Sequence, residues 1–121
     1  MNIKSELTTL IQAATGLVVH WDTTPEGFMP PAGGFIVAQQ IGGEREWYVE
    51  RDTPKSHNHA RIQFVCYAKR RLDVDAIAWN VENTIRLSNL LAQPYGAPID
   101  GYESALGLRT TLQQFGFQVP V

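Results

Sequence analysis

Hydrophobic positions near the start of the chain recur with the spacing of an amphipathic helix. They form one apolar stripe, which consists of Ile3, Leu7, Leu10 and Ile11. Asn2 can cap the start of this helix, and Gly16 can supply the left-handed residue that ends it. Residues 17–21 are rich in β-forming side chains, so we predict a short extended segment there.

The clearest strand in the sequence covers residues 60–69, where apolar and polar positions alternate. The pattern predicts a core-facing side made of Ile62, Phe64, Cys66 and Ala68. Directly after this strand, Asp73 can cap a long helix that runs to about Leu91, before the Gln-Pro-Tyr-Gly sequence at 93–96. The predicted buried stripe of that helix consists of Val74, Ile77, Ala78, Val81 and Ile85.

A hairpin is predicted upstream of that strand. Two β-rich segments, residues 35–41 and 45–50, flank the pair Gly42-Gly43, which is a turn signal between strands. Residues 52–58 contain no apolar side chain and predict a polar loop.

The C-terminal region predicts two more strands. The first covers residues 98–103, and the second begins near Leu106. In the second, the apolar positions slip by one residue on the way to Phe115. We attribute the slip to a β-bulge, either at the Gln113-Gln114 pair or at Gly116.

This order of elements predicts an α+β fold. Only one helix lies between strands, which argues against repeated βαβ winding. We expect a mostly antiparallel sheet of four to five strands, with the long helix packed on one face and a short N-terminal helix. A chain of 121 residues has the size of one domain, so residues 1–121 form a single unit.

Composition narrows the class of protein. Hydrophobic residues at 44% and charged residues at 18% fit a globular domain. A net charge of −2 argues against a dedicated nucleic-acid binder. Cys66 is the only cysteine, which excludes an internal disulfide and a cysteine zinc cluster. The N-terminus has no signal-peptide pattern and no run is long enough to span a membrane, so we expect a soluble intracellular protein.

A loop rich in proline and glycine is predicted at residues 22–34, with Phe28 and Met29 in its middle. Two interpretations of these apolar side chains are open. They fold back over an edge of the core, as in a compact loop, or they stay exposed and contact a partner.

The candidate chemistry of the chain is sparse. His57 and His59 could hold a transition metal if a third ligand joined them, but we expect them to be solvated on the polar loop. Cys66 lies on the apolar side of its strand, which favours a buried, inert thiol. We therefore predict no catalytic residue, metal or cofactor. A small metal-dependent hydrolase centred on the two histidines is the least favoured alternative.

Charge is distributed unevenly along the sequence. Residues 45–71 contain seven basic and three acidic residues, a net charge of about +4, which leaves about −6 for the rest of the chain. The basic stretch could bind phosphate or an acidic neighbour, or its cations could simply be solvated. Parts of opposite charge could also bring identical copies together. A nucleic-acid-binding module that uses this stretch and Tyr67 is a further alternative.

Several segments, taken in order, resemble one family. They are FIVAQQI at 35–41, RIQFVCYAK at 61–69 followed by the helix at Asp73, APIDG at 97–101 and GLRTTLQQF at 107–115. In this ordered set the chain resembles the small tail-completion, or tail-terminator, proteins of phages and prophages. The resemblance implies an α+β fold with a mixed or antiparallel sheet packed against helices, and no catalytic residues.

The resemblance also implies a function. Such proteins form a ring, commonly a hexamer, that caps the finished tail tube and presents a surface to the head-side connector. We therefore expect a structural virion protein at the head–tail joint, found in the cytoplasm of the bacterial host and in the virion tail. The isolated, dilute subunit can remain a monomer, since the tube end can be the template for assembly. The expected contact residues are Phe28, Met29, Arg51, Lys55 and Arg61.

Overall fold

The structure, a computed structural model, describes residues 3–44 and 57–120. Within these residues the chain is α+β, with two helices and six strands. In chain order the elements are α1 (Ile3–Thr15), β1 (Val19–Trp21), β2 (Phe35–Glu44), β3 (His57–Ala68), α2 (Arg71–Arg86), β4 (Leu91–Pro94), β5 (Ile99–Glu103) and β6 (Leu108–Pro120).

The strands form one mixed sheet in the order β1-β2-β3-β6-β4, and β5 also pairs with β6. β1 lies parallel to β2, and every other pairing is antiparallel. The expected antiparallel character is therefore largely right, whereas the expected count of four to five strands is too low. The difference arises because one edge of β6 is covered by two short strands in succession, β4 and β5.

Both helices pack on one face of the sheet and bury its alternating apolar side chains. The predicted core face of β3 is correct, since Ile62, Phe64 and Cys66 are fully buried. The helices contribute their own stripes, made of Ile3, Leu7 and Ile11 from α1 and Val74, Ala78, Val81 and Ile85 from α2. At about 25 cal/mol per Å² of apolar surface, this burial is the main stabilisation of the fold. Neither described helix has the length and apolar character needed to cross a bilayer.

The second helix differs from its predicted bounds at both ends. It begins at Arg71 after an extended Arg70, and Asp73 lies in its first turn instead of capping it. It ends at Arg86, where the Leu87 N–H bonds to the Asn83 carbonyl, and the Ser88 hydroxyl bonds to the Ile85 carbonyl. The predicted extension to Leu91 is therefore wrong, because residues 91–94 gain backbone partners in β6 that a helix would forgo.

Gly42-Gly43 does not form the predicted hairpin turn. Both glycines lie within β2, opposite Arg61 and Ala60 of β3, and the register between the strands shifts by one residue between Gln40 and Gly42. Gly42 has a φ of 131°, a backbone conformation in which any residue with a side chain would be strained. The strand thus contains a β-bulge, in which Ile41 is the extra residue and Gly42 is its neighbour. The predicted second strand, residues 45–50, lies outside the described residues.

The bulge predicted in the last strand is absent from the described pairing. β6 pairs with β3 in an unbroken register from Pro120 to Arg109. The apparent slip arises because Thr111 and Gln113 are buried on the helix-covered face, in line with Phe115 and Phe117. Both buried polar side chains have hydrogen-bond partners, so the core face simply includes polar residues.

Candidate functional site

The loop at residues 22–34 is anchored by one aromatic side chain. The half-buried Phe28 ring packs edge-on against His20 and against Phe35, with ring centroids 4.9 Å apart in each case. Phe35 in turn stacks on Tyr67 at 4.5 Å. Of the two interpretations left open, the first is therefore correct for Phe28: its side chain folds back and packs over an edge of the core.

Met29 behaves in the opposite way. Its side chain is 83% exposed, although it directly follows the anchored Phe28. The surrounding backbone turns tightly: the Phe28 N–H bonds to the Pro25 carbonyl at 3.1 Å, and the Gly34 N–H bonds to the Pro31 carbonyl at 3.1 Å. The loop thus holds an apolar side chain in water on a backbone that is already ordered.

Close backbone packing fixes where this loop lies. Gly34 has a φ of 100°, and a Cβ at this position would collide with the carbonyl oxygen of Tyr67. It would also lie 3.5 Å from the Cβ of Ala68. The loop therefore ends against the last residues of β3, beside the turn at Lys69 and Arg70 that leads into α2.

Arg61 lies in a different part of the molecule. Its guanidinium is over the ring of Tyr95, 4.4 Å from the centroid, and one of its nitrogens donates a hydrogen bond to the Gln114 amide oxygen. Arg61 is six residues from Tyr67 along β3, a distance of about 20 Å in an extended strand. The structure thus does not bring Arg61 together with Phe28 and Met29. Arg51 and Lys55, the other expected contacts, lie outside the described residues.

His59 belongs to the same cluster as Arg61. Its Nε2 lies 3.0 Å from the Tyr95 hydroxyl, and the two rings meet edge-on above Gly116. The predicted polar loop at His57 and His59 is wrong, because both positions lie in β3, paired with Pro120 and Gln118 of β6. A shallow cavity of about 230 Å³ adjoins His59.

The polar groups of this cluster are only partly paired among the described residues. Among the described residues, no group of three or more His, Cys, Asp or Glu side chains is arranged to hold a metal ion. His59 Nδ1 and Arg61 Nε are buried without a hydrogen-bond partner in the described structure.

Two titratable side chains of β3 have shifted pKa values. Burial raises the pKa of the Cys66 thiol to about 12, which keeps it protonated and unreactive at neutral pH. Burial also raises the pKa of Tyr67, and the charge of Glu103 adds to that shift. One face of the Tyr67 ring is covered by Phe35, so that face is not free to stack on a nucleic-acid base.

Two surface features at the ends of α2 were not predicted. At its start, Leu72 is 81% exposed. The sequence contained this signal, since Leu72 falls outside the buried stripe that begins at Val74. Past its end, the segment after Arg86 and the first turns of α1 line a cleft of about 570 Å³. The sequence did not indicate this cleft, because its residues after Arg86 were predicted to continue the helix to Leu91.

Comparisons with known proteins give the fold alone. No protein-family model matches the chain, and none of the curated proteins matches it. Solved structures do match, among them one that is designated only by a sequence identifier. That protein has a TM-score of 0.60 and 15% identity over 98% of this chain and 90% of its own. At this identity, the likeness shows a shared fold and carries no function.

Proposed function

We propose that this chain is a structural protein of a phage or prophage tail, which completes the tail tube at the head–tail joint by assembling into a ring. The ring size that the family resemblance implies is six. In this proposal the protein acts by binding to further copies and to the tube end, and no covalent bond is made or broken. Tail-tube and head-connector proteins are its partners.

One observation carries the proposal beyond the resemblance. Met29 and Leu72, exposed at 83% and 81%, stand on an ordered loop and on the first turn of a helix. Burying a side chain of this size against a partner is worth about 1.5–3 kcal/mol, so a subunit contact that covers both would be stabilised by that amount for each. A monomer with no partner gains nothing from holding them in water.

The distribution of charge along the chain also supports self-assembly. A ring is built from heterologous contacts, in which two different surfaces of each subunit meet. A chain whose middle is basic and whose remaining parts are acidic can supply surfaces of opposite sign.

The proposal is tested by tail-tube polymerisation. A phage tail-tube protein is polymerised with and without the purified protein, and tube lengths are measured by electron microscopy. We expect added protein to stop elongation and to leave an annular density at one end of each tube. Elongation that continues at a stoichiometric excess would contradict the proposal.

A matched variant identifies the surface responsible. Met29→Ser combined with Leu72→Ser removes two exposed apolar side chains, so the fold should be retained, as circular dichroism can check. We expect this variant to cap tubes at least tenfold less efficiently than the wild type. Equal capping would show that the tube and the neighbouring subunits are bound elsewhere.

A further inference from the structure

One end of the molecule combines apolar and basic side chains. Met29, Lys69 and Leu72 are exposed there, and we call this surface the basic end after Lys69. The loop of Met29 also carries the exposed carboxylates of Asp22 and Glu26. The packing of Gly34 on Ala68 places the loop that carries Met29 beside the turn that carries Lys69. The neighbouring Arg70 is paired with Asp73 at 3.0 Å, whereas Lys69 has no ion pair in the described structure.

The cleft lies at the other end of α2. Its apolar walls come from Leu10 of α1 and from Leu87 and Leu90, which follow α2. Leu87 is 70% exposed, so much of this wall faces water. Glu6 stands in the lining with its carboxylate exposed and, within the described residues, in no salt bridge.

The basic end and the cleft cannot meet within one chain. They are separated by the length of α2, which is about 24 Å for 16 residues. Between two copies they can meet. The exposed Met29 would then face the apolar cleft of the second copy, and the cation of Lys69 would face the carboxylate of Glu6. A contact of this type is heterologous and propagates into a ring or a filament.

We propose that the cleft of one copy is the docking site for the basic end of a second copy, with Met29 in the cleft and Lys69 facing Glu6. This inference rests on the proposed function, since it names the contact from which the ring is built. An unbranched thioether side chain suits a cleft of irregular shape. Phe28 and the flanking prolines already order the backbone of the loop, which lowers the entropy lost on docking.

Chemical crosslinking tests the geometry. Ala32→Cys places a thiol on the exposed part of the Met29 loop, and Asn89→Cys places one in the cleft. The two variants are mixed at high concentration and treated with a short bismaleimide, and the buried Cys66 does not compete. We expect several-fold more mixed dimer than from Ala32→Cys with Ala76→Cys, a control on the exposed side of α2. Equal yields would overturn the proposal.

Charge reversal tests the pairing. Glu6→Lys and Lys69→Glu alone should each weaken self-association by about 2- to 10-fold, because like charges then meet. The double variant restores the opposite charges and should associate within about twofold of the wild type, as measured by light scattering over a concentration series. A double variant weaker than both single variants would overturn the pairing.

The outcomes separate this contact from the function that it serves. If annular particles cap tubes but neither the crosslinking nor the charge-reversal test gives the expected result, the ring is built from other surfaces. This inference is then wrong, whereas the proposed function still stands. If both tests succeed but tubes are not capped, the self-association stands and the tail-completion function fails.

Discussion

Arg71, the first residue of α2, donates a hydrogen bond from Nη1 to the Asp100 carboxylate of β5 at 3.0 Å. The same guanidinium donates to the carbonyl oxygens of Gly101 and Thr110, each at 2.9 Å, and to the Thr111 hydroxyl at 3.0 Å. One side chain thereby joins the start of a helix to two strands that lie some 30 to 40 residues later in the chain.

The first prediction concerns these hydrogen bonds of Arg71. Arg71→Ala removes four hydrogen bonds from a side chain that is only 31% exposed, and it leaves the buried Thr111 hydroxyl without this donor. We expect a loss of about 2–3 kcal/mol in the free energy of unfolding, measured by urea denaturation. Arg70→Ala is the control, since Arg70 is 81% exposed and should cost no more than about 0.5 kcal/mol. Equal losses would contradict the assigned role of Arg71.

A second prediction concerns Gly116, which lies under the Tyr95 ring. A Cβ at this position would overlap that ring and would lie 2.6 Å from His59 Nε2. We expect Gly116→Ala to destabilise the fold by about 1–3 kcal/mol in thermal or urea unfolding. Gly33→Ala is the control, because its Cβ would meet only a Leu17 methyl group at 3.7 Å.

A double variant shows whether the collision is with Tyr95. Tyr95→Ala removes the ring above Gly116, so the combined loss should be smaller than the sum of the two single losses. Strict additivity would mean that Gly116 is required for another reason.

The third prediction concerns Gln113, which is 4% exposed in the core. Its Nε2 donates to the Ala78 carbonyl at 3.0 Å, but its Oε1 has no partner in the described structure. Gln113→Met keeps the shape and removes the unsatisfied oxygen, so we expect a stability within about 1 kcal/mol of the wild type.

Gln113→Glu is the contrasting change at the same position. A carboxylate there is buried without a described cation, so we expect a loss of about 3 kcal/mol or more at neutral pH. Because burial favours the protonated acid, the loss should shrink as the pH is lowered toward 4. A loss that does not depend on pH would show that the charge reaches solvent.

The fourth prediction concerns the Cys66 thiol, whose pKa burial raises from 9.0 to about 12. Above pH 9 the unfolded thiol loses its proton while the folded thiol keeps it, so stability falls with rising pH until about pH 12. Between pH 9 and pH 10 the expected loss is about 1 kcal/mol.

Comparison with Cys66→Ala isolates this contribution. The raised pKa of Tyr67 acts in the same direction in both proteins, so only the difference between their pH slopes belongs to the thiol. The native thiol should also react with a maleimide no faster than the protein unfolds. Rapid labelling of the folded protein would contradict its burial.

Periodicity within single segments predicted much of the fold. The core face of β3 and most of the stripes of α1 and α2 lie where the pattern placed them, because burial on one face leaves a repeat that is visible locally. Leu10 and Ile77, which were predicted in these stripes, are only half-buried. The same pattern failed in β6, where Thr111 and Gln113 occupy core positions. Their partners, Arg71 and the Ala78 carbonyl, are 40 and 35 residues away respectively, so no local pattern reveals them.

The candidate site was predicted only in part. Composition predicted the Pro-rich loop but left open whether its two apolar side chains are covered or exposed. The exposure of Met29 and the contacts of Phe28 with His20 and Phe35 came only from the structure. The cleft exists because α2 ends at Arg86 and the next residues pair with β6 as β4. That pairing is a contact between distant parts of the chain.

The sequence alone thus determined which segments are amphipathic and which side of each one is buried, because side-chain polarity repeats with the period of the local backbone. Only the tertiary structure decided where α2 stops, which glycines lie inside strands and which polar groups enter the core. Each of these depends on a hydrogen-bond partner or a steric neighbour supplied by another element, and such a partner leaves no periodic trace in its own segment.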